Sequence, residues 1–227
     1  MSIPHIAIEG IMTYETIVQA KFISRPNRFI AHVELDGAQQ VVHVKNTGRC
    51  RELLIPGGTV YLDKAKNPER KTAYDLVGVE HEGRIINIDS QAPNVVVKEW
   101  LERSGEYDVI HPEHKYGDSR IDFYMEKGTE RYLMEVKGCT LFRDGIGLFP
   151  DAPTQRGAKH LRELTRAVND GYRTGIACVI QGEDISEVQP NSETDPEFAK
   201  AFYEAKAAGV EVLFLKCKIT EDSINVI

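Results

Sequence analysis

A change of hydrophobic rhythm near residue 89 constrains the fold more than any other feature of this chain. Before it, no segment spaces its apolar residues as a helix does. "ETIVQAKFISRPNRFIAHVELDGAQQVVHVKNTG" reads as two or three strands, with Asp36-Gly37 as a turn. "PGGTVYLDKAK" and "AYDLVGVEHEGRIINID" continue with short strands punctuated by glycine. About five or six short strands in roughly 90 residues predict a small barrel, with an OB-like fold the leading candidate. After the change, helices and strands alternate. "SQAPNVVVKEWLERSG" predicts a helix capped by Ser90 or Asn94 and stopped by Gly105, with strands following around 119–126 and 131–138. "TQRGAKHLRELTRAVNDG" predicts a second helix ending at Gly171, and "TGIACVI" a buried strand. "DPEFAKAFYEAKAAG" predicts a third helix, with Asp195 as cap, Pro196 at its first position and Gly209 past its end; "VEVLFLKCKI" supplies a last strand. The order α-β-β-α-β-α-β predicts a mixed sheet with helices packed on it. The chain is thus α/β overall, with a β-barrel over residues 1–88 and an α/β domain over 89–227.

Charge limits how such a protein meets an anionic partner. The chain carries a net charge of −7, unevenly spread: +1 over residues 1–85 (11 basic against 10 acidic) and −8 over 86–227 (17 against 25). A nucleic-acid partner therefore needs local basic patches or metal ions rather than the overall field. No apolar run approaches the roughly 20 residues of a membrane helix, and "MSIPHIAIEG" lacks the pattern of a signal peptide. Cys50, Cys139, Cys178 and Cys217 are scattered without a CxxC pair, which suits reduced thiols in the cytoplasm better than disulfides or zinc. The oligomeric state is open, a dimer included.

The segment "RIDFYMEKGTERYLMEVKG" holds three charges among hydrophobic residues. Alternation puts Ile121, Phe123 and Met125 on one face with Tyr132, Met134 and Val136, as core, and leaves Asp122, Tyr124, Leu133, Glu135 and Lys137 on the other. A two-residue Gly128-Thr129 turn pairs Lys127 with Glu130, Phe123 with Met134 and Ile121 with Val136. That register sets Asp122 opposite Glu135. Like charges so placed, with Cβ atoms about 4.5–5.5 Å apart, destabilise a sheet, whereas a divalent cation between them reverses the sign. Mg²⁺ or Mn²⁺ suits one or two carboxylates plus waters. Lys137 then stands near a metal-bound water, placed to orient it or to offset charge on a phosphorane-like transition state. The competing reading is a solvated, alternating edge.

Basic residues elsewhere suggest where phosphates meet the protein. Lys159, Arg162 and Arg166 share a face of the second helix. Arg156, Lys159 and His160, near its N-terminus, are better placed for phosphate, while Arg166 reads as solvated. In the barrel, Arg25, Asn27, Arg28, Asn46, Arg49 and Arg51 cluster around turns, as on an OB face that follows a nucleic-acid strand. "DKAKNPERKTA" adds a basic loop, with Lys71 a DNA-contact candidate. Of the aromatics, Phe29 reads as core, with Phe22 and Tyr61 open between core and stacking. His111 and His114 form an H-x-x-H read as a loop, and zinc is not the expectation.

"HKYGDSRIDF", "YLMEVKGCTL", "FPDAPTQRGAKHLREL" and "GVEVL", with "NTGR" and "PNRF" upstream, resemble the sugar fermentation stimulation protein A family of bacteria and archaea along nearly the full chain. The resemblance implies an OB-like domain followed by a PD-(D/E)xK, restriction-endonuclease-like domain, DNA binding, and a link to regulation of sugar metabolism. It maps Asp122 to the first acid of the nuclease motif, Glu135 to the second and Lys137 to the lysine. It makes Glu99 a third metal-side acid, with Glu113 as rival. Ile121 occupies the place of the motif's proline. Two functions follow as expectations: a metal-dependent nuclease acting on DNA, with RNA open, or a DNA-binding regulator that keeps the fold without cutting.

Overall fold

A computed structural model describes residues 12–46 and 48–227. The first sheet contains β2 (Ile17–Asn27), β3 (Ile30–Leu35), β4 (Ala38–Val44), β5 (Thr59–Lys64), β6 (Tyr74–His81) and β7 (Arg84–Asn87), in the order β4-β3-β2-β5-β6-β7; β1 (Met12–Thr13) precedes it in the chain. Asp36 and Gly37 both take positive φ, +53° and +75°, and join β3 to β4. That pair of left-handed residues matches the twist of a two-residue hairpin. β4 also pairs with β6 in parallel, His43 with Asp75 and Val44 with Leu76. This pairing closes β2 to β6 into a five-stranded OB-like barrel around Ala31, Val33, Val42, Leu62 and Leu76.

The second domain begins with α1 (Ala92–Ser104) and continues through β8 (Val109–Tyr116), β9 (Ser119–Lys127), β10 (Glu130–Cys139), β11 (Leu141–Arg143), β12 (Ile146–Phe149), α2 (Gln155–Asn169), β13 (Arg173–Ile180), β14 (Val188–Pro190), α3 (Pro196–Ala207), β15 (Glu211–Ile219) and β16 (Ser223–Val226). Its main sheet runs β1-β16-β15-β13-β10-β9-β8. β10–β13 and β13–β15 are parallel and the other neighbours antiparallel, so the sheet is mixed. α1 covers one face through Val96, Val97 and Leu101, packed with Phe123, Met134 and Ala177. α2 and α3 cover the other through Leu161, Leu164, Phe198 and Phe202, packed with Leu133, Ile176 and Cys178. Burial on both faces is what makes β13 an unbroken apolar run.

Helix ends follow the expected chemistry in two cases of three. Thr154 Oγ1 accepts the Gly157 N–H at 3.1 Å, and Asp195 Oδ1 accepts the Phe198 N–H at 2.9 Å with Pro196 at the first position. At α1 neither expected cap operates. Gln91 holds the cap position without a side-chain bond, and its own N–H goes to Asp89 Oδ1 at 2.8 Å. Ser90 bonds instead to the Lys45 carbonyl, and Asn94 points away to Asp122. β8, whose polar residues and Pro112 hide its edge pairing, and the small sheet β11-β12-β14 are not foreshadowed by the sequence pattern.

The two domains are joined by more than one chain crossing. Gln181, at the end of β13, gives its side-chain N–H groups to the Asn87 and Asp89 carbonyls at 3.1 and 3.2 Å, while Asn87 N–H returns a bond to the Gln181 carbonyl at 3.1 Å. Met12–Thr13 adds β1 to the second sheet, so the first 88 residues contribute to both domains.

Candidate metal and nucleic-acid site

The β9–β10 hairpin keeps the expected register from Lys127–Glu130 as far as Phe123–Met134, and there the ladder stops. Gly128 takes positive φ, +58°, as a turn with glycine first requires. Beyond Phe123 the strands separate. Asp122 Oδ2 accepts the Val136 N–H at 2.8 Å, so a side chain takes over where a backbone carbonyl would have bonded. The split changes the faces. Ile121 packs in the cluster under α2, whereas Phe123 and Met125 pack under α1 with Met134 and Val136. The expected Ile121–Val136 pair is therefore absent, because β9 bends at Asp122.

At this bend the charges meet. Asp122 Oδ1 accepts from Asn94 Nδ2 at 3.0 Å, at the start of α1. Glu135, 2% exposed, bonds through Oε1 to both the Lys137 amine and His160 Nδ1 of α2. Arg156 Nε donates to His160 Nε2 at 3.3 Å, which leaves Nδ1 as the ring's N–H toward Glu135. Glu135 Oε2 is buried and has no hydrogen-bond partner. Burial pushes both acids up, but their neighbours split them. The Glu135 charge adds to burial and raises Asp122, against Lys137, the Val136 N–H and Asn94. At Glu135, Lys137 and His160 outweigh burial and hold the carboxyl below its ordinary range. Environments that push paired acids apart are a mark of functional sites. Among the described residues no three His, Cys, Asp or Glu side chains converge as a ready-made metal cage. The set fits an ion that takes two carboxylates and keeps its waters.

Lys137 opens onto a cleft of about 980 Å³ between the domains. Its barrel wall carries Arg25, Arg28, Arg49 and Arg51, and Asp151 is the one carboxylate among the described residues lining it. Arg28, Arg49 and Arg51 make no ion pair among the described residues, so an acidic protein presents here a local positive surface. Gly138, next to Lys137, is required by close packing: a Cβ there would lie 2.2 Å from Gln181 Oε1 and 2.7 Å from Pro93 Cγ.

Comparison with known proteins agrees with this architecture. Residues 23–88 match the family described as SfsA N-terminal OB domain, and residues 91–223 the sugar fermentation stimulation protein RE domain. The chain belongs to the sugar fermentation stimulation protein family. A homologue from Desulfitobacterium hafniense is 52% identical over 216 residues, covering 94% of this chain and 95% of the relative. One from Clostridium beijerinckii is 49% identical, covering 95% and 96%. The solved structure of SfsA from Pyrococcus furiosus in complex with Ca²⁺ superposes with a TM-score of 0.85 at 28% identity, over 96% of each chain. The family's OB-like barrel and restriction-endonuclease-like domain are thus the two folds seen here.

Several expected site residues lie elsewhere or do other work. Asp122, Glu135 and Lys137 come together; Glu99 does not join them. It accepts the Met12 backbone N–H and sits beside Arg103, near the far edge of the sheet. Glu113 is opposite Asp122 in the β8–β9 register, but its exposed carboxylate pairs with Arg120 at 3.0 Å. The Nη1 and Nη2 atoms of Arg25 bond the carbonyls of Arg28, Asn46, Gly48 and Arg49, so these donors build the loop while the charge stays unpaired by any carboxylate among the described residues. His160 is 4% exposed and serves Glu135 instead of phosphate. Arg156 and Lys159 line a separate hollow with Arg120, while Lys71 is exposed on the β5–β6 loop and does not line the main cleft. His111 and His114 lie on a strand, not a loop, with His114 stacked on Tyr124 at 4.4 Å. Two contributors escaped the sequence reading, Asn94 and Gln181. Asn94 had a signal, a polar residue at the start of a helix that faces the hairpin, but was read as a cap.

Proposed function

We propose that this protein is a divalent-metal-dependent nuclease that holds nucleic acid between its domains and hydrolyses phosphodiester bonds at Asp122, Glu135 and Lys137. One observation carries the reading: the bare, buried Oε2 of Glu135, next to a lysine that opens on an arginine-lined cleft. A buried charged oxygen without a partner is costly, and a cation is a partner that matches it. Two hard carboxylates suit Mg²⁺ or Mn²⁺. The Pyrococcus furiosus relative was solved with Ca²⁺, an ion of the same oxygen preference, which supports placing a divalent cation here. When bound, Mg²⁺ or Mn²⁺ supplies Lewis acidity toward a phosphate oxygen and acidifies a water.

The chain's own residues divide the remaining tasks. Asp122 and Glu135 would hold the ion, Asp122 being fixed by the Asn94 amide and the Val136 N–H. His160 fixes the rotation of the Glu135 carboxylate, leaving Oε2 for the ligand. Lys137, also held by the Val136 carbonyl at 3.2 Å, orients the attacking water and offsets charge growing on the phosphate. Arg28, Arg49 and Arg51 hold flanking phosphates. DNA is the expected substrate, in the cytoplasm; four buried free cysteines suit a reducing compartment. The family's link to sugar metabolism then runs through nucleic acid. The test is incubation of DNA and RNA, single- and double-stranded, with Mg²⁺ or Mn²⁺. Metal-dependent products that vanish in Glu135→Gln and Lys137→Ala support the enzyme. Binding without cutting in every condition supports the regulator instead.

A further inference from the structure

On the reading that nucleic acid enters the cleft, the barrel indicates which kind. Phe29, expected in the core, is 52% exposed at the tip between β2 and β3. Its exposure is held in place. Asn27 Oδ1 accepts the N–H groups of both Phe29 and Ile30, at 2.9 and 3.0 Å, and Asn27 pairs with Ile30 across the hairpin. Arg25 ties the Arg28 carbonyl to the carbonyls of Asn46, Gly48 and Arg49. These bonds fix the backbone that carries the ring at the tip. Asn27 and Arg28 line the cleft, Phe29 itself does not, and the Arg28 guanidinium lies 6.0 Å from the ring centroid, so the ring sits beside a cation of the cleft wall.

The second observation is size and depth. The cleft, about 980 Å³, is at the top of the roughly 300–1,000 Å³ range of pockets that enclose a drug-sized molecule. That is room to enclose a short run of nucleotides. The chemistry is also recessed: the Lys137 side chain is 15% exposed and Glu135 lies behind it. A duplex resting across the cleft keeps its internal bases stacked, so a ring reaches a base face there only at the cost of unstacking a step.

We propose that the cleft takes an unpaired strand, with a base stacked on Phe29 beside Arg28 and the phosphates led past Arg49 and Arg51 toward Lys137. Base–aromatic stacking tolerates any sequence, so the selection is for strandedness rather than for a motif. DNA and RNA share this chemistry, and the experiment separates them.

The test is fluorescence anisotropy at fixed salt with the full chain, using a labelled single-stranded DNA, the same sequence as RNA, and a blunt DNA duplex. Binding is read in place of cleavage, so a protein that does not cut still tests the inference. The expected result is a single strand bound at least tenfold tighter than the duplex. Phe29→Ala should weaken single-strand binding roughly tenfold or more and leave duplex binding unchanged, while Phe29→Trp should retain it. Phe29 is exposed, so both variants should melt with the wild type. Equal or tighter duplex binding, or single-strand affinity indifferent to Phe29→Ala, overturns the inference and leaves the nuclease reading standing.

Discussion

Two of the buried carboxylate–cation clusters among the described residues are built to opposite rules. At the barrel seam, Asp75 is closed off: Arg70 donates to both its oxygens at 2.9 and 2.7 Å, His43 bonds at 2.8 Å and Lys45 lies 3.5 Å away. Burial works against its ionisation, yet Arg70, His43 and Lys45 prevail and hold the carboxyl at about 2. The cluster sits where β4 meets β6, so its charges lock the barrel shut. At the hairpin split, one Glu135 oxygen carries two partners and the other none, and the neighbouring Asp122 is pushed the opposite way. A structural cluster satisfies itself. On the proposed reading, the cluster at the hairpin leaves one oxygen for a ligand.

The largest expected effect is on activity. Glu135→Gln and Lys137→Ala should each lower metal-dependent cleavage about a thousandfold, the scale of losing a transition-state contact, in a gel assay, with little loss of thermal stability in Glu135→Gln. Asp75→Ala should do the reverse. Removing a carboxylate that holds two cations and a histidine should cost about 3 kcal/mol in urea unfolding, while cleavage at low temperature persists. A cluster-for-cluster exchange of these outcomes would break the contrast.

Smaller effects sharpen it. His160→Ala should weaken Mn²⁺ binding about 10- to 100-fold, the usual result of losing a group that orients a ligand. His160→Asn, which keeps an N–H near the ring's position, should recover part of it. Acid titration should separate the domains as well. Because Asp75 is depressed in the folded protein, its contribution is complete above the ordinary aspartate range and disappears as pH falls from about 4 toward about 2, on the order of 2 kcal/mol. Far-UV circular dichroism against pH should show that loss in the wild type and not in Asp75→Asn.

What could be read in advance divides along the same physical line. The Phe123–Met134 register was legible because turn chemistry and two-sided hydrophobic alternation specify it together. The reversal of Ile121 was not, because its cause is a bond from Asp122 to a backbone N–H in the next strand. The acid–acid–lysine set was visible as charge in an apolar hairpin. Its support from His160 and Asn94 was hidden, since both come from helices whose rotation depends on packing. Arg25 and Phe29 erred in opposite directions for one reason: a guanidinium's donors were spent on distant carbonyls, and an apolar ring at a turn had no core to enter.

The central claim is that Asp122 and Glu135 together bind a divalent cation. Isothermal titration of Mn²⁺ into the wild type, Asp122→Asn and Glu135→Gln at neutral pH tests it most directly. The account predicts saturable binding to the wild type that is lost from both variants while they remain folded. No uptake by the wild type, or uptake that both variants preserve, would contradict it.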